Sequence, residues 1–232
     1  MDIVAALARR EGYTTYLEIA TPTTGNEYAS IDHEHFRVAE RLLYRVPPGF
    51  DDGAPIDYRT ASEDCAPLLE RLAAEGRRYD VILVDPFHTY DCSRRDLELA
   101  MRLLAERGTL VVHDCNPPDR ALVRPSFRPG RWCGVTYAAF LDFVASREDV
   151  AYCTLDTDYG CGIVRRRSAA TDAGALGPIS RRRQRGWRIA SRSRLTRWPY
   201  FARHRRELLR LASPGAFDWA RSAPVHRTPE RS

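Results

Sequence analysis

The chain has 232 residues and a formal net charge of +5, enough for one domain of ordinary size with extensions and a real core. All 36 basic residues are arginine. A Schiff-base lysine and a P-loop lysine are therefore excluded, and a general base must be His, Asp, Glu, Tyr or Cys. Residues 165–232 carry 18 arginines against Asp172, Glu207, Asp218 and Glu230, a net +14, whereas residues 1–164 carry 18 arginines against 27 carboxylates, a net −9.

No apolar run is long enough to span a bilayer, and MDIVAALARREGY lacks the basic-then-apolar layout of a signal peptide. The six cysteines form no C-x-x-C pair, which argues against structural zinc and a disulfide framework. These features predict a reduced, cytoplasmic protein.

Taken in chain order, residues 2–11 predict a short helix stopped by Gly12. YLEIA (16–20) predicts a buried strand that breaks at TPTTGN (21–26). A helical pattern is expected over about 27–40, a second strand at 41–46 and a third at 56–60, after the loop PPGFDDGAP (47–55). Ser62 is expected to begin a helix with Leu68, Leu69, Leu72 and Ala73 on one face, ending at Gly76. YDVILVD (79–85) reads as a strand buried on both sides. The next helix is expected over about 93–106, with Ser93 and Asp96 as a capping box and Gly108 as its end. TLVVHD (109–114) predicts another strand, and the proline-rich stretch 115–134 a lid or binding loop. Tyr137, Phe140, Leu141 and Val144 mark an amphipathic helix, and 151–157 with 161–166 a closing hairpin whose Asp156 and Asp158 read as turn residues.

Strand and helix in alternation predict an α/β fold, a Rossmann-like doubly wound and mainly parallel sheet closed by an antiparallel hairpin. Residues 1–166 are expected to form that domain, 167–198 an arginine-rich linker or tail, partly disordered, and 199–232 a helix starting at Pro199 and a frayed end. On that helix Phe201, His204, Leu208 and Leu211 would share a face that docks on the body.

VDPFHTYD (84–91) and VHDCNP (112–117) each place Asp and His where an apolar strand stops. In doubly wound sheets, ligands sit outside the carboxyl ends of the strands. Asp85, His88, His113 and Asp114 are therefore expected to face one crevice. Taken singly, each has a plainer reading as a turn, cap or packing residue. Trp132 is read either as a core anchor or as a platform for a ring-shaped substrate.

The stretch 80–115 resembles the second half of a class I S-adenosylmethionine (SAM)-dependent methyltransferase domain. The resemblance is to the small bacterial type whose fourth strand ends in D-G-x-H-x-Y, followed by a later Asp and a fifth strand ending in H-D. Asp85, His88, Tyr90, Asp96, His113 and Asp114 fill those positions. It covers roughly residues 13–166 and implies SAM as cofactor. It also implies catalytic roles for His88, His113 and Asp114, and cofactor contacts at Glu18, Thr21, Gly25, Ser62 and Asp85. Some proteins of this type use a divalent cation, for which Asp85 and Asp114 are candidate ligands here. The chain departs from the pattern at Ala20, which stands in place of the first loop glycine, and at Pro86 in place of Gly. ERG replaces the usual turn before strand 5, and Asp32, Asp51 and Asp52 compete for the acidic place after strand 2.

The expected function is O-methylation of a small or glycan-like acceptor. The alternatives are a catalytically inactive relative acting as a binding or assembly partner, and a metal-dependent hydrolase. The arginine-rich segment, with its interleaved Trp and Tyr, is expected to contact an anionic membrane surface at the inner face, or the acidic body of its own chain or of another subunit. These rank ahead of nucleic acid, because no base-reading motif is present.

Overall fold

The computed structural model describes residues 3–24, 27–168 and 181–215. Its elements are α1 (Ile3–Glu11), β1 (Thr15–Ala20), β2 (Val38–Leu43), β3 (Tyr58–Arg59), α2 (Ala66–Ala74), β4 (Tyr79–Asp85), α3 (Tyr90–Leu103), β5 (Leu104–Val112), α4 (Thr136–Ala145), β6 (Val150–Leu155), β7 (Cys161–Arg166), α5 (Arg181–Ala190), α6 (Arg194–Leu209) and β8 (Leu211–Ala212). The eight strands form one sheet in the order β3-β2-β1-β4-β5-β7-β6-β8. The strands from β3 to β5 pair in parallel, and β7 runs antiparallel to both β5 and β6.

Strands β1 and β4 lie inside the sheet with a strand on either side, which is why YLEIA and YDVILVD are nearly continuous in apolar residues. On one face Leu17, Ile19, Ile82 and Val84 pack under α2, α3 and α4, with Trp187 of α5 and Phe201 of α6 in the same core. On the other face Tyr16, Val81, Leu83 and Val111 pack under Ile3, Val4 and Leu7 of α1, with Tyr28, Ile31 and Phe36 beside them. Register places Ala20 opposite Asp85, and the His113 amide donates to the Val84 carbonyl at 3.1 Å. The carboxyl ends of β1, β4 and β5 thus form one edge.

Several sequence expectations change. The helix expected over 27–40 is two 3-10 turns, Glu27–Ala29 and His33–His35. The Ser30 amide closes the first on the Glu27 carbonyl at 2.9 Å, and its hydroxyl takes the same oxygen at 2.8 Å, which competes with continuation into a helix. Strand β2 consequently begins at Val38 rather than 41. The third strand shrinks to two residues, because the Asp57 side chain accepts the Arg41 amide at 2.8 Å, where strand pairing would have continued.

The proposed capping box is absent. Helix α3 starts at Tyr90, Ser93 lies inside it and donates to the Thr89 carbonyl at 2.7 Å, and Asp96 is fully buried. The ERG stretch belongs to β5, whose register with β4 shifts between Tyr79 and Val81. Gly108 permits this close approach, since a Cβ there would lie 2.8 Å from the Asp80 carbonyl oxygen. Helix α6 begins at Arg194, with the Ser193 hydroxyl accepting the Leu195 amide, so Pro199 lies inside it. The linker reading of 169–180 and the frayed end over 216–232 lie outside the described residues. Among the described residues, no helix is long and apolar enough to cross a membrane.

Candidate active site

Strand β4 delivers Asp85 at its carboxyl end, and the short turn to α3 delivers His88. Strand β5 delivers His113 and Asp114 just past its last residue. Asp85, His88 and Asp114 are buried. Asp114 has φ +59°, a left-handed conformation that Asp tolerates better than most residues. Its neighbours fix it there, as the Cys115 amide donates to the Gly160 carbonyl at 2.8 Å and the Asn116 amide to the Tyr159 carbonyl at 2.5 Å.

His88 Nδ1 lies 2.7 Å from Asp114 Oδ2, a close approach outside hydrogen-bond angles, and His88 Nε2 lies 3.4 Å from Asp85 Oδ1. His113 Nδ1 lies 3.4 Å from Asp85 Oδ1, and its Nε2 pairs with Asp158 Oδ2 at 3.0 Å. Burial opposes charge on His113, but Asp85, Asp158 and Asp114 outweigh it and push the ring up to about 12. The same pairing holds the Asp158 carboxyl below its usual range. Asp85, His113 and Asp114 also offer one ligand atom each within 4.8 Å of one another, a geometry open to a divalent cation.

Sequence reasoning missed Asp158 as a site residue, although it is also a turn residue as expected. The signal was available. A hairpin returning antiparallel to β5 must put its turn beside the carboxyl end of that strand. The sequence allows Trp132 either packing or substrate contact. Its ring lies 5.3 Å from the His88 ring and 5.3 Å from Phe87, so it roofs the histidine. The loop carrying it is pinned, since the Val135 amide donates to the His88 carbonyl at 2.9 Å.

Glu18 is buried in β1, accepts the Tyr16 hydroxyl at 2.9 Å and lies 3.6 Å from Arg41. Arg41 forks both Nη atoms onto Asp52, at 3.0 and 2.6 Å. Burial therefore dominates on Glu18 and raises its carboxyl to about 7. Thr21 closes the loop after β1. Its amide donates to Thr24 Oγ1 at 3.0 Å, and that hydroxyl reaches the Asp85 carbonyl at 3.1 Å. Ser62 lies by the end of β2, where its carbonyl accepts the Arg45 amide at 2.9 Å. Gly25 lies outside the described residues. Strand β2 runs out into Tyr44 and Arg45, and none of the three aspartates considered stands at its carboxyl end. Asp52 pairs with Arg41, Asp51 accepts the Gly53 amide, and Asp32 precedes the second 3-10 turn. Tyr44 donates to Asp96 at 2.7 Å, and Arg45 covers the Phe87 ring and pairs with Glu63.

A doubly wound sheet closed by an antiparallel hairpin, with a carboxylate and histidine edge at its strand ends, is the architecture of the class I methyltransferases. Residues 3–115 match the model of a family described as a methyltransferase domain. The fold is shared with the O-methyltransferase TomG from Streptomyces achromogenes, solved in complex with SAM. That structure is 19% identical with a TM-score of 0.53, the match covering 72% of this chain and 79% of that one. It is shared also with an O-methyltransferase from Bacillus cereus solved in complex with SAH, at 15% identity and a TM-score of 0.52, over 72% of this chain and 80% of the other. No curated protein matches the sequence. The chain thus has the fold of the class I SAM-dependent methyltransferases, and residues 3–115 are similar to a methyltransferase family.

Proposed function

We propose that the domain methylates a hydroxyl group of a small or glycan-like acceptor, with His88 as general base. The observation that carries this reading is the Asp114–His88–Asp85 arrangement at the ends of β4 and β5. Asp114 beside Nδ1 favours the tautomer with its proton on that nitrogen, leaving the Nε2 lone pair to take the acceptor's hydroxyl proton. Asp85 then stabilises the imidazolium. Trp132 excludes water from the ring. His113, held by carboxylates at both nitrogens, acts as a positioning residue for Asp85 and Asp158.

The edge fits SAM in the chemistry of its donors. Glu18 Oε1 and Asp114 Oδ1 are buried oxygens without a hydrogen-bond partner, and they suit a cationic ligand. Glu18, Thr21, Gly25 and Asp85 would hold its amino-acid and sulfonium end, and Ser62 its nucleoside end. The bound cofactor supplies a methyl group on a positively charged sulfur. A divalent cation at Asp85, His113 and Asp114 is a second reading of the same edge, supported by their spacing, and would lower the acceptor hydroxyl's pKa.

The assignment is tested by titrating the protein with SAM and then measuring turnover. His88→Ala should lower kcat by roughly 10²-fold with SAM affinity preserved. Unchanged turnover would remove His88 as the base. A folded protein giving no heat with millimolar SAM would favour the inactive-relative reading. Loss of turnover on chelation, restored by magnesium, would establish the cation.

We also propose that α5 and α6 contact an anionic membrane surface. Ile189 and Leu195 stand exposed at 60% and 80% among arginines on this helix pair, the pattern of an interfacial segment.

A further inference from the structure

The loop 115–134 and the first turns of α6 border a solvent-open cavity of about 530 Å³, lined by Arg120, Arg124, Arg194 and Arg197 together with Tyr137 and Trp198. Among the described residues no carboxylate lines it. Among the described residues none of the four arginines forms an ion pair. Elsewhere on the domain arginines are commonly paired, as Arg41, Arg95, Arg147 and Arg165 show. Four like charges around one cavity repel each other, and an anion between them relieves that repulsion.

The wall is fixed on the α6 side. Arg197 donates from Nε and Nη2 to the Ser191 carbonyl, at 3.2 and 2.9 Å, which orients its guanidinium and leaves Nη1 for a ligand. Val135 also lines the cavity, and its amide is bonded to the His88 carbonyl. Trp132, which roofs His88, donates to the Arg124 carbonyl at 2.7 Å. The arginine cavity and the His88 edge are thus two sides of one loop.

We propose that this cavity binds the phosphate or diphosphate group of a phosphorylated acceptor. This deepens the methyltransferase reading and rests on it for the word acceptor, while the anion site itself does not. Guanidinium groups match phosphate oxygens bidentately, and the volume falls in the range of small-molecule pockets. The cavity also offers Tyr137 and Trp198 to the ring or chain that bears the phosphate. Occupation would tie Arg120 and Arg124 of the loop to Arg194 and Arg197 of α6 and hold Trp132 over His88.

The test is titration of the full chain with inorganic pyrophosphate at low salt, followed by calorimetry and tryptophan fluorescence. Saturable binding is expected, weakening as salt rises. Arg194→Gln with Arg197→Gln should lower affinity about tenfold or more, the loss of two charge-assisted partners. The Arg→Lys pair should fall between, because charge is kept and the fork is lost. Arg182→Gln with Arg185→Gln on α5, away from this cavity, should leave affinity unchanged. No saturation at 10 mM (about 10⁴ times a micromolar Kd), or equal loss in the α5 variant, would overturn the site. Pyrophosphate binding by a protein that ignores SAM would uphold the anion site and remove the methyltransferase reading. SAM binding without pyrophosphate binding would do the reverse.

Discussion

Glu18 shares Arg41 with Asp52 and holds the poorer position, 3.6 Å away against a fork at 2.6 and 3.0 Å. Its carboxyl titrates at about 7 in the fold, against an ordinary 4.5. Folding therefore takes up a proton between these values. The stabilisation is complete below pH 4.5 and is lost as pH rises through 7. Glu18→Gln should make melting temperature less dependent on pH between 5 and 8, while weakening SAM binding if the carboxylate faces the cofactor. A variant with the wild-type slope would show that Glu18 is ionised throughout. Gly134 has φ +54°, and a Cβ there would sit 2.0 Å from the His88 carbonyl oxygen. Gly134→Ala should destabilise by at least about 1 kcal/mol, lowering Tm by about 2–4 °C or more in a scanning melt. At this scale the sequence displayed Asp85, His88, His113 and Asp114, because strand ends are readable from apolar runs. Asp158 is legible only through the predicted hairpin, because its partner His113 lies 45 residues away and the sheet order joins them.

Among the elements, the central strands were legible because burial on both faces leaves an unbroken apolar run. The crossover from β1 to β2 was not. Tyr28, Ile31 and Phe36 have helix-like spacing, but they bury against the sheet from 3-10 turns and extended chain. The arginine-rich helices were hidden by composition. The arginine-rich segment reads as a surface for the acidic body or a membrane, held by charge, yet Trp187 on α5 is 1% exposed and donates to Asp142 at 2.7 Å, while Tyr90 donates to the other oxygen of the same carboxylate. Trp187→Ala should lose about 3–5 kcal/mol in urea unfolding. A loss below about 1 kcal/mol, the size of a surface substitution or a little more, would mean that α5 does not pack on α4 in solution.

At the scale of the whole molecule, the division of charge between an acidic body and a basic C-terminal segment is written in the sequence, but its placement is not. Part of the basic charge lines the cavity at Arg194 and Arg197, and part stands outward on α5 and α6. Vesicles containing anionic lipid should bind the protein, steeply less so as salt rises. Ile189→Ser with Leu195→Ser should reduce that binding, and equal binding by the variant would remove the membrane contact. Neutral vesicles should bind poorly.

The hairpin that brings Asp158 to His113 also decides when β5 becomes safe. During synthesis β5 is complete at residue 112, but its antiparallel neighbour starts only at residue 161. At about 5–20 residues per second the ribosome needs a few seconds to supply it. For that interval Leu110, Val111 and Val112 sit on an open sheet edge, with ladder groups unpaired and able to recruit another chain. Truncations ending between 113 and 160 should accordingly be recovered in aggregates, and the crevice should first form when β7 docks.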